Sequence, residues 1–295
     1  MMKTPNDGFY TALGTPLDKN GNVITASLKR QVEQQINAGC AGLLVLGSMG
    51  MQSCVKTDQC VCAVQAAAEA NRGVKPLFAG VMDNSIERVL DRIDALKSFP
   101  LDGVVLTTPF YFTCDAASLV RFFTRVADRS AFPVYMYDLP GVTKQKITFD
   151  IVKQVSQHEN IRGIKTGDLT LARQITYYGE TKESFKVLFS GLDVFDAANA
   201  FGIRRNLDGM FACCPHTAQK TFQAFANNNI AEGTKYLTQI LNLRDTMFKY
   251  DIFPAFTVTM NLLGCDGAHA PDYEGEVSEE GVRVLTDLMR TMGEI

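Results

Sequence analysis

Apolar and polar positions alternate in blocks along this chain. Short apolar runs are followed by longer stretches with the three-to-four-residue spacing of an amphipathic helix. Residues 8–16 read as extended and 25–38 as helical; residues 42–47 precede a helix at 55–71, and 76–81 one at 85–97. Residues 103–108 lead into a helix at 116–127, 133–137 into 149–156, and 161–166 into 169–178. The last two pairs are 186–190 with 194–201, and 207–213 with 217–227. Asn84 and Asp193 stand where helix caps are expected. Eight β-rich runs, each followed by a helix, predict an α/β fold, a (β/α)8 TIM barrel. The dinucleotide-binding open sheet is the other such pattern, but the first strand–helix turn lacks G-x-G-x-x-G.

Past Asn229 the rhythm stops, and residues 230–249, 253–263 and 278–292 read as three successive helices with a loop at 264–276. Residues 1–228 are therefore expected to form the catalytic barrel. Residues 229–295 are expected to form a three-helix C-terminal extension packed on it.

Composition narrows the function more than the fold. The 295 residues carry a formal net charge of -3 with no basic run, which argues against a nucleic-acid partner. The longest apolar stretches, such as 40–46, are too short for a bilayer, and residues 1–7 lack the apolar core of a signal peptide. A cytoplasmic protein with no membrane partner is the expectation. The eight cysteines form no Cys-x-x-Cys pair, and the three histidines (His158, His216 and His269) are scattered. Free thiols with no metal site follow. Cys213 and Cys214, read as strand residues, are expected on opposite faces.

The chemistry is expected at the C-terminal ends of the strands, where barrels of this kind keep their sites. Lys165 stands out. It sits in the apolar run Ile161-Arg162-Gly163-Ile164-Lys165-Thr166, where alternation puts Ile161, Gly163 and Lys165 on one face. A buried ammonium is disfavoured by desolvation, and a neutral amine attacks carbonyl carbon. The competing reading is an edge lysine whose head reaches water. Tyr137 ends the fifth strand and offers a phenol for proton transfer, or a half-buried aromatic with its hydroxyl bonded to backbone. Gly47-Ser48-Met49-Gly50 can turn backbone N–H groups toward an anion, or can be a plain tight turn. A lysine and a tyrosine at a barrel mouth suit imine chemistry.

The ordered set Gly47-Ser48-Met49-Gly50, Tyr137-Asp138-Leu139-Pro140 and Gly163-Ile164-Lys165 resembles that of the dihydrodipicolinate synthase / N-acetylneuraminate lyase family. Gly14-Thr15-Pro16 and Ser190-Gly191 fit as well. The resemblance implies a class I aldolase or lyase in which Lys165 forms a Schiff base with pyruvate or a related 2-oxo acid. A C–C bond is then made to, or cut from, an aldehyde, for instance in a 2-oxo-3-deoxy sugar acid. It implies that Tyr137 shuttles protons, that Ser48 links tyrosines in a relay, and that Tyr111 is donated across a subunit interface. Thr15, Gly47, Met49, Asp138, Val142 and Gly191 take the family's substrate-binding positions. No metal or organic cofactor is implied, and the assembly is a homo-oligomer, a dimer or a homotetramer built from two dimers.

The departures bear on substrate. Met49 replaces a hydroxyl that helps hold the 2-oxo acid carboxylate, worth about 1 kcal/mol. Met51 replaces a glutamate, and Asp138 an asparagine. Val142 stands in place of the arginine that dihydrodipicolinate synthases use for a second carboxylate, and an apolar side chain cannot supply that contact. A dihydrodipicolinate synthase proper, a dehydratase and a non-catalytic ligand-binding relative are the alternatives.

Overall fold

The computed structural model describes residues 5–295; the leading residues of the segment read as free of a signal peptide, 1–4, lie outside the described residues. Its strands are β1 (Gly8–Ala12), β2 (Gly42–Val45), β3 (Leu77–Gly80), β4 (Gly103–Thr107), β5 (Val134–Asp138), β6 (Ile161–Thr166), β7 (Lys186–Phe189) and β8 (Arg205–Asp208). They follow one another around a closed barrel in sequence order. Nearly every strand residue is buried, so both faces are covered and most of the runs read as predominantly apolar rather than alternating.

The helices are α1 (Thr25–Asn37), α2 (Thr57–Asn71), α3 (Ile86–Ala95), α4 (Ala116–Arg129), α5 (Pro140–Thr143), α6 (Phe149–Val155) and α7 (Leu169–Tyr177). They continue with α8 (Phe195–Ala200), α9 (Met210–Cys213), α10 (Pro215–Ala226), α11 (Ile230–Phe248), α12 (Ile252–Leu262) and α13 (Glu279–Met292). Among the described residues no helix is long and apolar enough to cross a membrane. Contacts group into two compact units. One holds residues 76–207 with the stretch up to Asp7, the other residues 8–75 with 208–295.

In the first unit the sheet runs from β3 to β8, and α3, α4 and α7 start on side-chain caps. Ser85 Oγ accepts from Arg88 N at 3.4 Å, and Asp115 and Asp168 cap α4 and α7 in the same way. The expected cap Asn84 is one residue too early, and its carboxamide is used elsewhere. Asp193 lies inside a 3-10 turn, Leu192–Val194, rather than capping α8 with its side chain.

The register of β4, β5 and β6 decides what faces what. Thr107 pairs with Tyr137 and Tyr137 with Lys165; one residue on, Asp138 pairs with Thr166. In parallel strands paired residues point the same way, so Thr107, Tyr137 and Lys165 stand abreast on one face and Asp138 and Thr166 on the other. Beneath the first trio lies Tyr135. A methyl group on Gly163 would sit 2.8 Å from its ring and 2.3 Å from Lys186 O, and one on Gly103 also 2.8 Å from the ring. Glycine on both flanking strands makes room for this aromatic floor, and Phe78 meets the same ring edge-on at 5.0 Å.

In the second unit, α11 packs along α10 and α12 against α13, while α9 touches both α11 and α12. Glu294, just past α13, satisfies the start of α10: its carboxylate accepts from Thr217 N at 2.7 Å and from His216 N at 3.1 Å. The last β run departs from expectation. Residues 207–213 are not a strand: β8 ends at Asp208, whose Oδ1 accepts from Met210 N at 2.9 Å and starts the short helix α9. Cys213 and Cys214 therefore do not split across a sheet. Both thiols turn to Met210 O, at 3.2 and 2.9 Å.

Candidate active site

Lys165 is 5% exposed and Tyr137 4%. The lysine Nζ donates to the phenol oxygen at 2.8 Å and lies 4.0 Å from the ring centroid. The edge-lysine reading is thereby removed, because the ammonium head ends on a buried phenol rather than in water. An amine and a phenol at this separation can exchange a proton directly, and both come from rigid neighbouring strands.

Asp138 is buried on the opposite face, and both its carboxylate oxygens are engaged. Oδ2 accepts from Thr166 Oγ1 at 2.8 Å and pairs with Lys146 Nζ, and Oδ1 accepts from Ile147 N at 3.0 Å. Lys146 also reaches Asp168 Oδ2 at 3.0 Å. Burial alone would raise the Asp168 carboxyl, but the Leu171 N–H and Lys146 outweigh it and hold the group below its ordinary value. Expected as a substrate contact, Asp138 in this structure ties the loop after β5 to the ends of β5 and β6. Val142, on α5, is 64% exposed.

Gly191 sits where a side chain would strike Gly167 O at 2.8 Å and the Phe189 ring at 2.6 Å, so the backbone there stays bare. Tyr111 is 78% exposed and Phe112 76%, with their rings edge-to-face at 4.8 Å. Their segment is pinned by Asn84 Oδ1, which accepts from Phe110 N at 2.8 Å and Tyr111 N at 2.9 Å.

The turn carrying Gly47, Ser48 and Met49 belongs to the second unit. It is bracketed by two non-glycine residues in the left-handed region, Leu46 (φ 58°) and Met51 (φ 52°), a conformation that side chains resist. Met51 N bonds Ser48 O at 3.0 Å, and the buried Thr15 Oγ1 donates to Gly50 O at 2.6 Å. Thr15 therefore braces this turn. Met49 lies across Gly209, where an added methyl group would come within 2.8 Å of its Cβ.

A family model described as "Dihydrodipicolinate synthetase family" matches residues 5–286. The chain belongs to the dihydrodipicolinate synthetase family. It is a lyase of the class I aldolase type that this family comprises. It is 27% identical over 248 residues, 82% of each chain, to the 4-hydroxy-tetrahydrodipicolinate synthase of Acidiphilium cryptum. Among solved structures, YagE, a prophage protein of E. coli K12 in complex with pyruvate, superposes with a TM-score of 0.88 at 21% identity over 97% of this chain and 98% of that one. A monomeric dihydrodipicolinate synthase variant superposes at 0.90 with 21% identity, covering 99% of this chain and 98% of its own. These likenesses bear out the barrel with its helical C-terminal part.

Three residues at the site escaped the sequence reading. Lys146 is one of two lysines in Thr143-Lys144-Gln145-Lys146, and only the fold selects which one meets Asp138. Asn84 was visible as a polar residue before a helix, but its partners lie 26 and 27 residues further on. Thr107 carried a signal, a hydroxyl ending an otherwise apolar strand.

Proposed function

We propose that Lys165 is the amine that condenses with the C2 carbonyl of pyruvate or a related 2-oxo acid, with Tyr137 moving the protons. The 2.8 Å bond between the two buried groups carries the reading. The amine adds to C2 to give a carbinolamine. Tyr137 protonates its hydroxyl, which leaves as water, and the resulting iminium withdraws electrons from C3. In synthesis a C3 proton is lost, and the enamine attacks an aldehyde to form the C3–C4 bond. In cleavage Tyr137 accepts the proton of the C4 hydroxyl as the same bond breaks. The iminium is the electron sink, so no metal or organic cofactor is invoked.

Ser48 takes the relay position, with Gly47, Met49, Thr15 and Gly191 at the carboxylate and substrate positions. The exposed, pinned Tyr111-Phe112 pair supports its donation to a second copy and hence a homo-oligomer, a dimer or a tetramer of dimers. The monomeric variant among the structural likenesses makes this a point for measurement. The chain is taken as cytoplasmic, with residues 229–295 a helical extension of the catalytic barrel.

The curated relatives named 4-hydroxy-tetrahydrodipicolinate synthase favour that activity as the second reading. Against it stands Val142, apolar and 64% exposed, with no charge to offer a second carboxylate. A neutral hydroxylated aldehyde, as in 2-oxo-3-deoxy sugar acids, fits better. Incubation with pyruvate and borohydride, followed by peptide mass analysis, tests the core of the proposal. A reduced adduct on Lys165 is expected. Its absence across several 2-oxo acids transfers the protein to the non-catalytic, ligand-binding reading that Met49 and Met51 suggest.

A further inference from the structure

Thr107 ends β4 with a side chain that is 4% exposed and a hydroxyl that has no hydrogen-bond partner. That is unusual within this chain. Other buried threonines are bonded, as with Thr11 to Gln35 Oε1 at 2.7 Å, Thr166 to Asp138 at 2.8 Å and Thr217 to Glu294 at 2.6 Å. Among the described residues only Thr107 and its neighbour Thr108 are buried threonines without a partner. Leaving a hydroxyl dry and unpaired costs about 1–3 kcal/mol, so a folded chain that keeps one has a use for it or an unseen partner for it.

The register states where that use lies. Thr107 pairs with Tyr137 and Tyr137 with Lys165, so the three side chains stand abreast on one face, the phenol in the middle. Thr108 alternates to the other face. Thr107 Oγ1 makes no direct bond to the phenol. Two polar groups on one face that do not bond directly can be bridged by a water.

We propose that Thr107 holds the water released when the Lys165 carbinolamine collapses to the imine, a step that rests on the function proposed above. Lysine nitrogen has bonded C2; the C2–OH bond breaks as Tyr137 delivers a proton to that oxygen, and the nitrogen lone pair forms the C=N bond. The product water then needs buried partners. A threonine hydroxyl both donates and accepts, and together with the Tyr137 oxygen it supplies two of the contacts such a water requires. In hydrolysis of the imine, the reverse step, the same hydroxyl orients the attacking water. Thr107 is thus a positioning residue for both ends of the catalytic cycle.

The test is exchange of label from [2-18O]pyruvate into solvent, which reports carbinolamine dehydration and rehydration without any second substrate. Thr107→Val keeps the shape and removes the hydroxyl; exchange is expected to slow about tenfold, the upper end of what one lost hydrogen bond costs. Thr107→Ser restores the hydroxyl and is expected to recover most of the rate. Thr108→Val, on the opposite face, is expected to exchange as wild type. Equal slowing in Thr107→Val and Thr107→Ser, or no slowing in a folded Thr107→Val, overturns the assignment. Should the wild-type protein neither exchange label nor trap pyruvate on Lys165, it is the function itself that fails.

Discussion

Lys165 and Tyr137 meet through a 2.8 Å hydrogen bond between adjacent strands, both side chains being almost fully buried. The phenol oxygen accepts from the lysine nitrogen, which gives the proposed reaction a proton-transfer route at that nitrogen. Replacing Tyr137 by Phe preserves the ring under Nζ and removes that route. Turnover in Tyr137→Phe is expected to fall about 10²-fold or more, while the adduct on Lys165 still forms on long incubation. Steady-state rates beside borohydride trapping decide it, and undiminished turnover excludes the phenol from proton transfer.

Asp138 and Lys146 give a prediction about stability. Lys146→Met leaves the Asp138 carboxylate buried with only Thr166 and the Ile147 N–H as partners. Because the lysine side chain is 36% exposed, the loss is put at roughly 1–3 kcal/mol rather than the larger cost of a fully buried pair. Asp138→Asn, which removes the charge, is expected to recover much of it in the double variant. Urea denaturation of the two single variants and the double variant gives the coupling; additive effects mean that the pair does not interact.

His269 gives the protein an acid limit. Burial lowers its imidazole to about 4 from 6.5, the bond to Cys265 O opposing the fall only in part. The folded chain keeps the ring neutral where the unfolded chain protonates it. Stability from this group is therefore complete above pH 6.5 and lost progressively as pH falls toward 4. The contribution is roughly 3 kcal/mol at 1.36 kcal/mol per unit. Unfolding free energies at pH 7.5 and 4.5 should show this slope in wild type and a shallower one in His269→Gln.

Met49 can be tested by restoration. Met49→Thr returns a hydroxyl to the turn after β2, and the KM for pyruvate is expected to fall several-fold, in line with one added hydrogen bond of about 1 kcal/mol. An unchanged KM would falsify the idea that this position contacts the carboxylate.

Most of the architecture was legible because helices and strands here differ in period. Helix α3 buries Val89, Leu90 and Ile93 on one stripe, whereas β4 is apolar up to its last residue, Thr107. The exception is instructive. Met210-Phe211-Ala212-Cys213 is buried on every side, so it shows neither period, and an apolar run of that length fits strand and helix alike. At the site, Lys165 and Tyr137 were legible as residue types in odd places. The engagement of Asp138 with Lys146 was not, since it depends on how the turn after Pro140 brings the chain back nine residues later to Ile147. The burial of the Thr107 and Thr108 hydroxyls away from any protein partner is likewise a property of packing.

The turn between Leu46 and Met51 holds its shape through main-chain dihedrals and bonds made by backbone atoms and Thr15. Neither the Met49 nor the Met51 side chain takes part in those bonds. The strain of two left-handed residues is thereby borne by main-chain bonds and by Thr15, so loss of the Thr15 hydroxyl would loosen the whole turn.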